Sequence, residues 1–295
     1  MRAFVTGGHG FVGPWLRTHL EAEGDEVIAP PDGWEITDPA QVAAAVSDAA
    51  PDAVYHLAAI SNVVQSWQAP AHTFEVNALG TLHLLEAARA LPSQPRVLLI
   101  GSAEVYGKVR PEQVPITEDT PLRPVTPYAA SKVAAEYLGM QAFLAYGLPV
   151  LSARAFNHIG PTQSGGFVVA DLARRIVEAR RDGIKTLSVG NLSPRRDFTD
   201  VRDVVRAYRL LVERGAPGEA YNVCSGRDVA IDELAQRLLE LSGADLTLET
   251  DPALVRAVDL PVLKGDPAKV NAATGWHPEI PLDQTLTEVL QHADQ

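Results

Sequence analysis

A glycine-rich turn near the start of the chain most constrains its fold. Residues 6–13 read TGGHGFVG and follow the strand-like run RAFVT at residues 2–6. Gly7, Gly10 and Gly13 precede or open a helix-like segment, where glycines let the backbone approach a pyrophosphate and helical N–H groups bind its charge. The turn therefore predicts a dinucleotide-binding βα unit. The residues expected to contact the cofactor here are Gly7, Gly10, Phe11, Val12 and Gly13.

The rest of the first half repeats this alternation of strand and helix. Short runs rich in branched apolar residues alternate with longer helical segments up to about residue 155. This alternation predicts βαβ units and a parallel sheet whose right-handed crossovers cover both faces with helices. We therefore expect an α/β fold in which residues 1–155 form a doubly wound parallel sheet, the Rossmann type of dinucleotide-binding domain. The expected strands cover residues 2–6, 26–29, 52–58, 96–102 and 149–155, and the expected helices residues 11–24, 73–91 and 127–147.

The regular alternation of strand and helix ends after about residue 155. Residues 156–166 (FNHIGPTQSGG) are rich in Gly, Pro and polar residues, which indicates a functional loop. Helical segments at residues 166–183, 200–215 and 231–243 then alternate with short strands. We expect residues 156–295 to form mainly a smaller C-terminal α/β lobe that binds the substrate, with parts returning to the first domain.

Charge and composition exclude several kinds of partner. The chain of 295 residues has a formal net charge of −12, which argues against nucleic acid and anionic membranes as partners. No run approaches the ~18 apolar residues of a membrane span. The single cysteine, Cys224, excludes an internal disulfide and fits a reducing cytosol, so we expect a cytoplasmic protein. Because no Cys or His cluster has the spacing of metal ligands, we expect no catalytic metal.

The end of the second strand indicates which cofactor is used. A carboxylate there favours the free ribose 2′-OH of NAD, whereas a cation accommodates the 2′-phosphate of NADP. Asp32 is available, and no Lys or Arg occurs between Arg17 and Arg89. NAD(H) is therefore favoured, with NADP(H) left open. Glu35 and Ile36 are expected to flank the adenine, although a solvated turn is an equally good interpretation.

Catalytic chemistry is predicted on the segment YAASK and on the strand before it. Tyr128 and Lys132 are four residues apart and project from one face of a helix. A phenol with a pKa near 10 exchanges protons poorly at neutral pH, and a nearby ammonium lowers that pKa. Ser102 ends the preceding strand and is expected to hydrogen-bond the reacting oxygen. Glu104 follows two residues later and is either an acid/base or a binding residue.

These motifs together carry a family resemblance. TGGHGFVG, HLAA at residues 56–59, Ser102 and YAASK resemble the extended short-chain dehydrogenase/reductases that act on nucleotide sugars. SNVVQSWQAP, FNHIGPTQSGG, SPRRDFTD and YNVCSG are similar to GDP-4-keto-6-deoxy-D-mannose reductases, whose nearest relatives are the GDP-mannose 4,6-dehydratases. The resemblance implies NAD(P)H-dependent reduction of the C4 ketone of a GDP-linked 4-keto-6-deoxy sugar, giving GDP-D-rhamnose. It implies that Tyr128 donates the proton, Ser102 polarises the carbonyl and Lys132 binds the cofactor ribose.

Four differences separate this chain from the dehydratases. It reads IGPTQ where they usually have ESPRR, RDFTD where they usually have RDWG, and Ser102 where they typically have threonine. It also lacks their arginines after the second strand. Glu104 occurs in both groups and cannot decide between them. A dehydratase, another sugar-nucleotide epimerase and a non-catalytic dinucleotide sensor remain as alternatives.

The resemblance also assigns further site residues. Arg196 and Arg256 are expected at the diphosphate or nucleoside, and Asn157 at the sugar or first phosphate. Asn77, inside a predicted helix, is expected to bind backbone near the active site, and a homodimer is expected through helices at residues 71–91 and 127–146. The remaining residues implied at the cofactor and substrate are Leu57, Ala58, Ala59 and Ser61.

Overall fold

A computed structural model of the chain describes residues 1–254 and 260–295. Within these residues a parallel sheet of six strands has the order β2-β1-β3-β4-β5-β9. The strands are β1 (Arg2–Thr6), β2 (Glu26–Ile28), β3 (Ala53–His56), β4 (Arg96–Ile100), β5 (Val150–Ala155) and β9 (Ala220–Val223). The last of these comes from the second half of the chain and pairs with the outer edge of β5.

Helices cover both faces of this sheet because its central strands are apolar on both sides. Every residue of β3 and β5 is buried, as expected for a parallel sheet between two helical layers. One apolar cluster joins the sheet to α1 and α8, and another joins it to α2 and α5. The predicted doubly wound parallel sheet is therefore confirmed. The helices around it are α1 (Val12–Ala22), α2 (Pro39–Ala49), α5 (Gly80–Ala90), α6 (Pro127–Tyr146) and α8 (Val201–Arg214).

The helix predicted over residues 73–91 is interrupted. After α3 (Val63–Gln68), the chain forms α4 (Pro70–Phe74), a π-helical turn at Glu75–Leu79 and then α5. The wider turn carries Asn77, whose side chain is hydrogen-bonded to a neighbouring loop. Single π-helical turns inside helices are frequent at functional sites.

The second half of the chain builds a separate apolar core. Three helices pack around it, and the small sheets β10-β8-β12 and β11-β7 lie beside them. The loop predicted at residues 156–166 begins with a strand, since β6 pairs with β8 through Asn157–Ile159. The elements here are β6 (Asn157–Ile159), α7 (Val168–Asp182), β7 (Thr186–Val189), β8 (Arg195–Asp200), β10 (Asp228–Ala230), α9 (Ile231–Ser242), β11 (Thr247–Thr250), β12 (Val262–Leu263), α10 (Ala268–Thr274) and α11 (Leu282–Ala293).

Buried carboxylates hold the C-terminal segment against α8. Asp203 accepts hydrogen bonds from the backbone N–H groups of Glu279 and Ile280, both at 2.9 Å. Asp200 accepts one from the Thr285 hydroxyl at 2.7 Å.

In the part of the chain that the structure describes, no helix combines the length and the apolar character needed to cross a bilayer.

Candidate active site

The glycine-rich turn lies at the carboxyl end of β1 and approaches other backbone closely. Gly7 has φ +70°, and a Cβ there would lie 2.6 Å from the Ala58 backbone nitrogen. At Gly13 a Cβ would collide with the backbone of Gly8. Any side chain at these two positions would push the turn away from its neighbours. The first helix therefore begins against the sheet edge, with its N–H groups directed as an anion site requires.

The aromatic ring of Phe11 joins this turn to the second half of the chain. Phe11 stacks on His158 of β6, with the ring centroids 6.1 Å apart and the planes 3° from parallel. The neighbouring Gly160 also lies against Phe11, since a Cβ there would be 3.5 Å from the Phe11 ring. The next residue, Val12, is partly buried against the core. Sequence analysis did not predict the stacking on His158.

The loop after β2 borders an open groove. Asp32 is exposed and lines this groove of about 550 Å³ together with Trp34. The Glu35 backbone N–H donates to the Gln41 side chain at 3.1 Å. The position of Ile36 differs from the expected place beside an adenine. Its side chain is only 6% exposed and packs in the core against Gly80, because the absence of a Cβ at Gly80 leaves room for it.

The loop after β3 forms the wall facing the glycine turn. Leu57 and Ala58 donate backbone hydrogen bonds to the Thr6 carbonyl and the Thr6 hydroxyl, both at 3.2 Å. Ala59 follows in the same partly buried loop, and Ser61 is exposed just before α3. The residues expected at the cofactor from β1 and β3 therefore lie on adjacent strands.

A buried histidine fixes the ends of these strands. The Thr81 hydroxyl donates to the Asn77 carbonyl at 2.6 Å, so it accepts from His56 Nε2–H at 3.0 Å. His56 Nδ1 then carries no proton and accepts from the Thr6 hydroxyl at 2.8 Å. Burial, and then the charge of Lys132, lower the pKa of His56 to about 3. His56 is thus a neutral structural residue.

Asn77 binds the backbone next to the active site, as predicted. Its side-chain oxygen accepts from the Ile60 N–H at 2.8 Å, and its amide donates to the Ile60 carbonyl at 3.0 Å. The same amide donates to the Ser131 hydroxyl at 2.9 Å. Ser131 lies between Tyr128 and Lys132 in sequence, so Asn77 connects the loop after β3 to the catalytic helix.

Ser102 and Glu104 lie on a tight turn at the carboxyl end of β4. Ser102 precedes the short 3₁₀ helix Ala103–Tyr106, and its hydroxyl accepts from the Glu104 backbone N–H at 3.2 Å. Ala103, Val105 and Tyr106 are buried, whereas Ser102 and Glu104 remain partly exposed. The buried residues of the turn anchor it, and the two polar side chains lie on its partly exposed side.

Tyr128 faces this turn from α6. The Thr126 hydroxyl accepts from the Ala129 N–H at 3.0 Å and caps the helix. Burial raises the pKa of Tyr128 to about 12; a hydrogen bond with Ser102 opposes this rise and the charge of Glu104 adds to it. The lowered pKa predicted for Tyr128 is therefore not found, because burial has the largest effect on its phenol. Tyr128 is a protonated phenol at neutral pH.

Lys132 points toward the end of β4. Its ammonium donates to the Ile100 carbonyl at 2.8 Å, and burial lowers the pKa of Lys132 to about 8. The group therefore retains its proton at neutral pH. Ile100 is the last residue of β4, two positions before Ser102. Lysine and serine thus approach the same strand end.

The predicted substrate residues come from two parts of the fold. Asn157 is partly exposed on β6, directly after the carboxyl end of β5. Arg196 lies in β8, and its guanidinium donates to the Leu260 carbonyl at 2.6 Å. Arg256 lies outside the described residues. The glycine turn, Ser61, Ser102 and Asn157 all follow carboxyl ends of strands in one parallel sheet, the edge at which such folds bind ligands.

Other arginines of the second half serve structural ion pairs. Arg195 binds Asp228, and Arg202 binds Asp200 at 2.8 Å and Glu288 at 2.7 Å. Both arginines are partly exposed, whereas the Asp200 carboxylate is buried. Over residues 1–254 and 260–295, no group of three or more His, Cys, Asp or Glu side chains is arranged to hold a metal ion.

Comparison with known proteins identifies the family. A model described as GDP-mannose 4,6 dehydratase matches residues 33–289. The chain belongs to the GDP-mannose 4,6-dehydratase family. It is 39% identical over 293 residues to a GDP-6-deoxy-D-mannose reductase of Pseudomonas aeruginosa, covering 98% of this chain and 96% of the relative. The resemblance predicted from the motifs is confirmed.

Solved structures of related proteins share the whole fold. The structure of RMD from Pseudomonas aeruginosa complexed with NADPH matches with a TM-score of 0.93 and 38% identity, over 99% of this chain and 98% of that one. A UDP-glucose 4-epimerase from Thermus thermophilus in complex with NAD matches with a TM-score of 0.88 and 31% identity, over 99% of both chains. The same fold therefore occurs in relatives that are named for different activities.

Proposed function

We propose that the protein reduces the C4 ketone of GDP-4-keto-6-deoxy-D-mannose to GDP-D-rhamnose with a nicotinamide cofactor. The observation that carries this proposal is the pairing of Tyr128 with Ser102 above the carboxyl end of β4. Ketone reduction needs a hydrogen-bond donor on the carbonyl oxygen and an acid that protonates it. The extensive identity to a named reductase supports the same reaction.

The protonation states suit the reductive direction. A pKa of about 12 keeps Tyr128 protonated, so it can give its proton to the alkoxide that forms at C4. Ser102 supplies the second hydrogen bond to that oxygen, which stabilises the developing charge. The ammonium of Lys132, which donates to the Ile100 carbonyl at the end of β4, is assigned to the cofactor ribose and to stabilising the tyrosinate left after proton transfer. Glu104 is assigned to hydroxyl groups of the sugar.

NADH is the cofactor that the chain's own residues favour. The nicotinamide supplies a hydride when bound. The glycine turn and the first turn of α1 are assigned to the pyrophosphate, because Gly7 and Gly13 have no side chain and lie directly against neighbouring backbone at the start of a helix. Asp32 would accept a hydrogen bond from a ribose 2′-OH and would repel a 2′-phosphate. Because a related structure contains NADPH, activity must be measured with NADPH as well as with NADH.

The sugar nucleotide would extend from this site toward the second half of the chain. Asn157 and Arg196 are assigned to the sugar-phosphate and the diphosphate, since an acidic protein must meet those charges with local cations. Arg256 belongs to this assignment on sequence grounds alone.

A cytoplasmic location completes the proposal and is supported by the unpaired, buried Cys224.

A homodimer is also part of this proposal. Large apolar side chains are exposed along α6 and beside the π-helical turn, where a symmetric copy could cover both helices. The exposed residues are Phe74, Leu79, Tyr137, Met140, Leu144 and Tyr146.

The direct test is to supply purified protein with the keto sugar and NADH. We expect oxidation of NADH with formation of GDP-D-rhamnose. A Tyr128→Phe variant should lose about 10²–10⁴-fold in kcat, the usual contribution of a general acid. An exposed Tyr137→Phe variant is the matched control. No oxidation of NADH, or equal rates in wild type and Tyr128→Phe, would exclude this function.

The second candidate is dehydration of GDP-mannose, in which Glu104, whose charge acts on Tyr128, would be the acid/base. A dehydratase would convert GDP-mannose to the keto sugar without net use of added cofactor. Incubation with GDP-mannose alone separates the two reactions, and we expect no keto sugar to form. In a Glu104→Gln variant, ketone reduction should fall far less than in Tyr128→Phe.

A further inference from the structure

A buried ion pair lies on the catalytic helix but takes no part in the proposed chemistry. Arg154 of β5 and Glu136 of α6 are only 6% and 4% exposed. The guanidinium donates to both carboxylate oxygens of Glu136, from Nη2 at 2.6 Å and from Nε at 3.0 Å. Glu136 lies four residues beyond Lys132 and eight beyond Tyr128, so the three side chains share one buried face of the helix.

The same guanidinium also holds the turn that carries the catalytic serine. Arg154 Nη1 donates to the Tyr106 hydroxyl at 2.8 Å and to the Glu118 carbonyl at 2.9 Å. Tyr106 is the last residue of the 3₁₀ helix that follows Ser102. Its hydroxyl donates in turn to the Asn222 side chain at 2.6 Å. One arginine therefore connects α6 with the Ser102 turn.

Stability alone does not explain a buried pair of this kind. Burying both charges costs desolvation energy that their attraction barely recovers, and apolar replacements are often neutral or stabilising. A bidentate pair does fix the relative position of the elements that carry it. Here those elements are the ones that supply Tyr128 and Ser102, which must reach one oxygen atom together. A misplacement of about 1 Å in such a pair costs about 10²-fold in rate.

We propose that Glu136, Arg154 and Tyr106 are positioning residues that set the separation of the Ser102 hydroxyl from the Tyr128 phenol. This inference rests on the proposed ketone reduction, in which both hydroxyls act on the same oxygen. The three residues touch neither substrate nor cofactor. They act through Ser102 and Tyr128.

Removal of a single hydroxyl tests this role. Tyr106→Phe should lower kcat for the keto sugar by about tenfold or more, with KM changed less than about twofold. Tyr55→Phe is the matched control, because Tyr55 is 0% exposed and its hydroxyl has no hydrogen-bond partner among the described residues. Its kcat should remain within about twofold of wild type. An unchanged kcat in Tyr106→Phe would overturn the proposal.

A double-variant comparison separates positioning from general loosening of the fold. In a Ser102→Ala background, where no serine hydroxyl remains to be positioned, Tyr106→Phe should cost less than about twofold. An equal loss in both backgrounds would assign Tyr106 a structural role only and reject the inference. Glu136→Gln, which weakens the pair from the helix side, should show the same dependence on Ser102.

A crystal structure of Tyr106→Phe gives a readout that does not depend on turnover. The Ser102 Oγ to Tyr128 Oη separation should be longer than in crystals of wild type, whereas Tyr55→Phe should leave it unchanged. An unchanged separation in Tyr106→Phe contradicts the positioning role. Failure of wild type to reduce the keto sugar contradicts the proposed function instead, so the two failures are distinguishable.

Discussion

At Tyr128, burial and hydrogen bonding act against each other on one phenol. Burial raises its pKa to about 12, and the Ser102 hydrogen bond opposes that rise. The raised pKa suits a proton donor, since Tyr128 is fully protonated at neutral pH. The YAASK motif identified the residue, but the direction of its pKa shift depends on side chains from other elements that pack around it.

The proposed preference for NADH over NADPH rests on Asp32. We expect kcat/KM for NADH to exceed that for NADPH by about tenfold or more, because a carboxylate and a 2′-phosphate repel each other. Asp32→Ala should reduce this ratio. Asp48→Ala is the matched control, since Asp48 lines the same groove from α2. Steady-state kinetics with both cofactors measure the ratio, and an unchanged ratio in Asp32→Ala would remove Asp32 from the site.

His56 makes stability depend on pH in a defined window. The folded chain keeps His56 neutral down to a pKa of about 3, whereas the unfolded imidazole binds a proton below 6.5. The unfolded state therefore binds more protons between these values, and stability falls as pH falls through the window. Between about pH 7.5 and about pH 5.5, wild type should lose roughly 1 kcal/mol more than His56→Gln.

Urea unfolding at the two pH values measures this difference. His277→Gln serves as the control because its imidazole is exposed. Equal losses in wild type and His56→Gln would show that His56 takes up its proton in the folded state.

At the scale of elements, the π-helical turn shows what sequence periodicity misses. The apolar pattern of residues 73–91 is that of one continuous helix, but Asn77 must reach Ile60 and Ser131 from a helix interior. An asparagine at a buried helical position was the only local signal of the interruption. The strand at Asn157–Ile159 gave no such signal, because its polar sequence pairs with β8 from a distant part of the chain.

Loss of the Asn77 side chain should destabilise the fold. Asn77 is only 2% exposed, and Asn77→Ala removes its partners at the partly buried Ile60 N–H and C=O, which costs about 3 kcal/mol in unfolding free energy. Asn271 is itself exposed, so Asn271→Ala, which removes its one hydrogen bond to the Trp276 carbonyl, should cost less than about 1 kcal/mol. Denaturant titrations measure both values. Similar losses in the two variants would mean that water replaces the Asn77 contacts.

For the whole molecule, the exposed apolar face of α6 is expected to be covered by a second copy. Leu144 is 73% exposed, and Leu144→Glu should shift the protein from dimer to monomer by placing a charge inside the interface. Ile184 is 47% exposed near β7, so Ile184→Glu is a control that should leave the mass unchanged. Light scattering after gel filtration measures the molecular mass of wild type and of both variants. A monomeric wild type would exclude this assembly.

The fold could be predicted, and candidate catalytic residues could be proposed, because their signals are local. TGGHGFVG, YAASK and the alternating strands each lie within a few residues, and each pattern has one common structural solution. The network around Arg154 could not be predicted, since Tyr106 and Asn222 are 116 residues apart and meet only in the folded chain. The burial of Ile36 likewise depends on Gly80, a position that carries no signal of its own.

The late arrival of β9 has a consequence for synthesis of the protein on the ribosome. This strand covers the outer edge of β5, and its Asn222 is the acceptor for Tyr106. Until residue 223 has been translated, the outer edge of β5 is unpaired and the Tyr106 hydroxyl lacks its acceptor Asn222. Exposed strand edges recruit other chains. Nascent chains on one messenger RNA are therefore most prone to associate through β5 while the ribosome translates α7 to α8, before β9 completes the sheet.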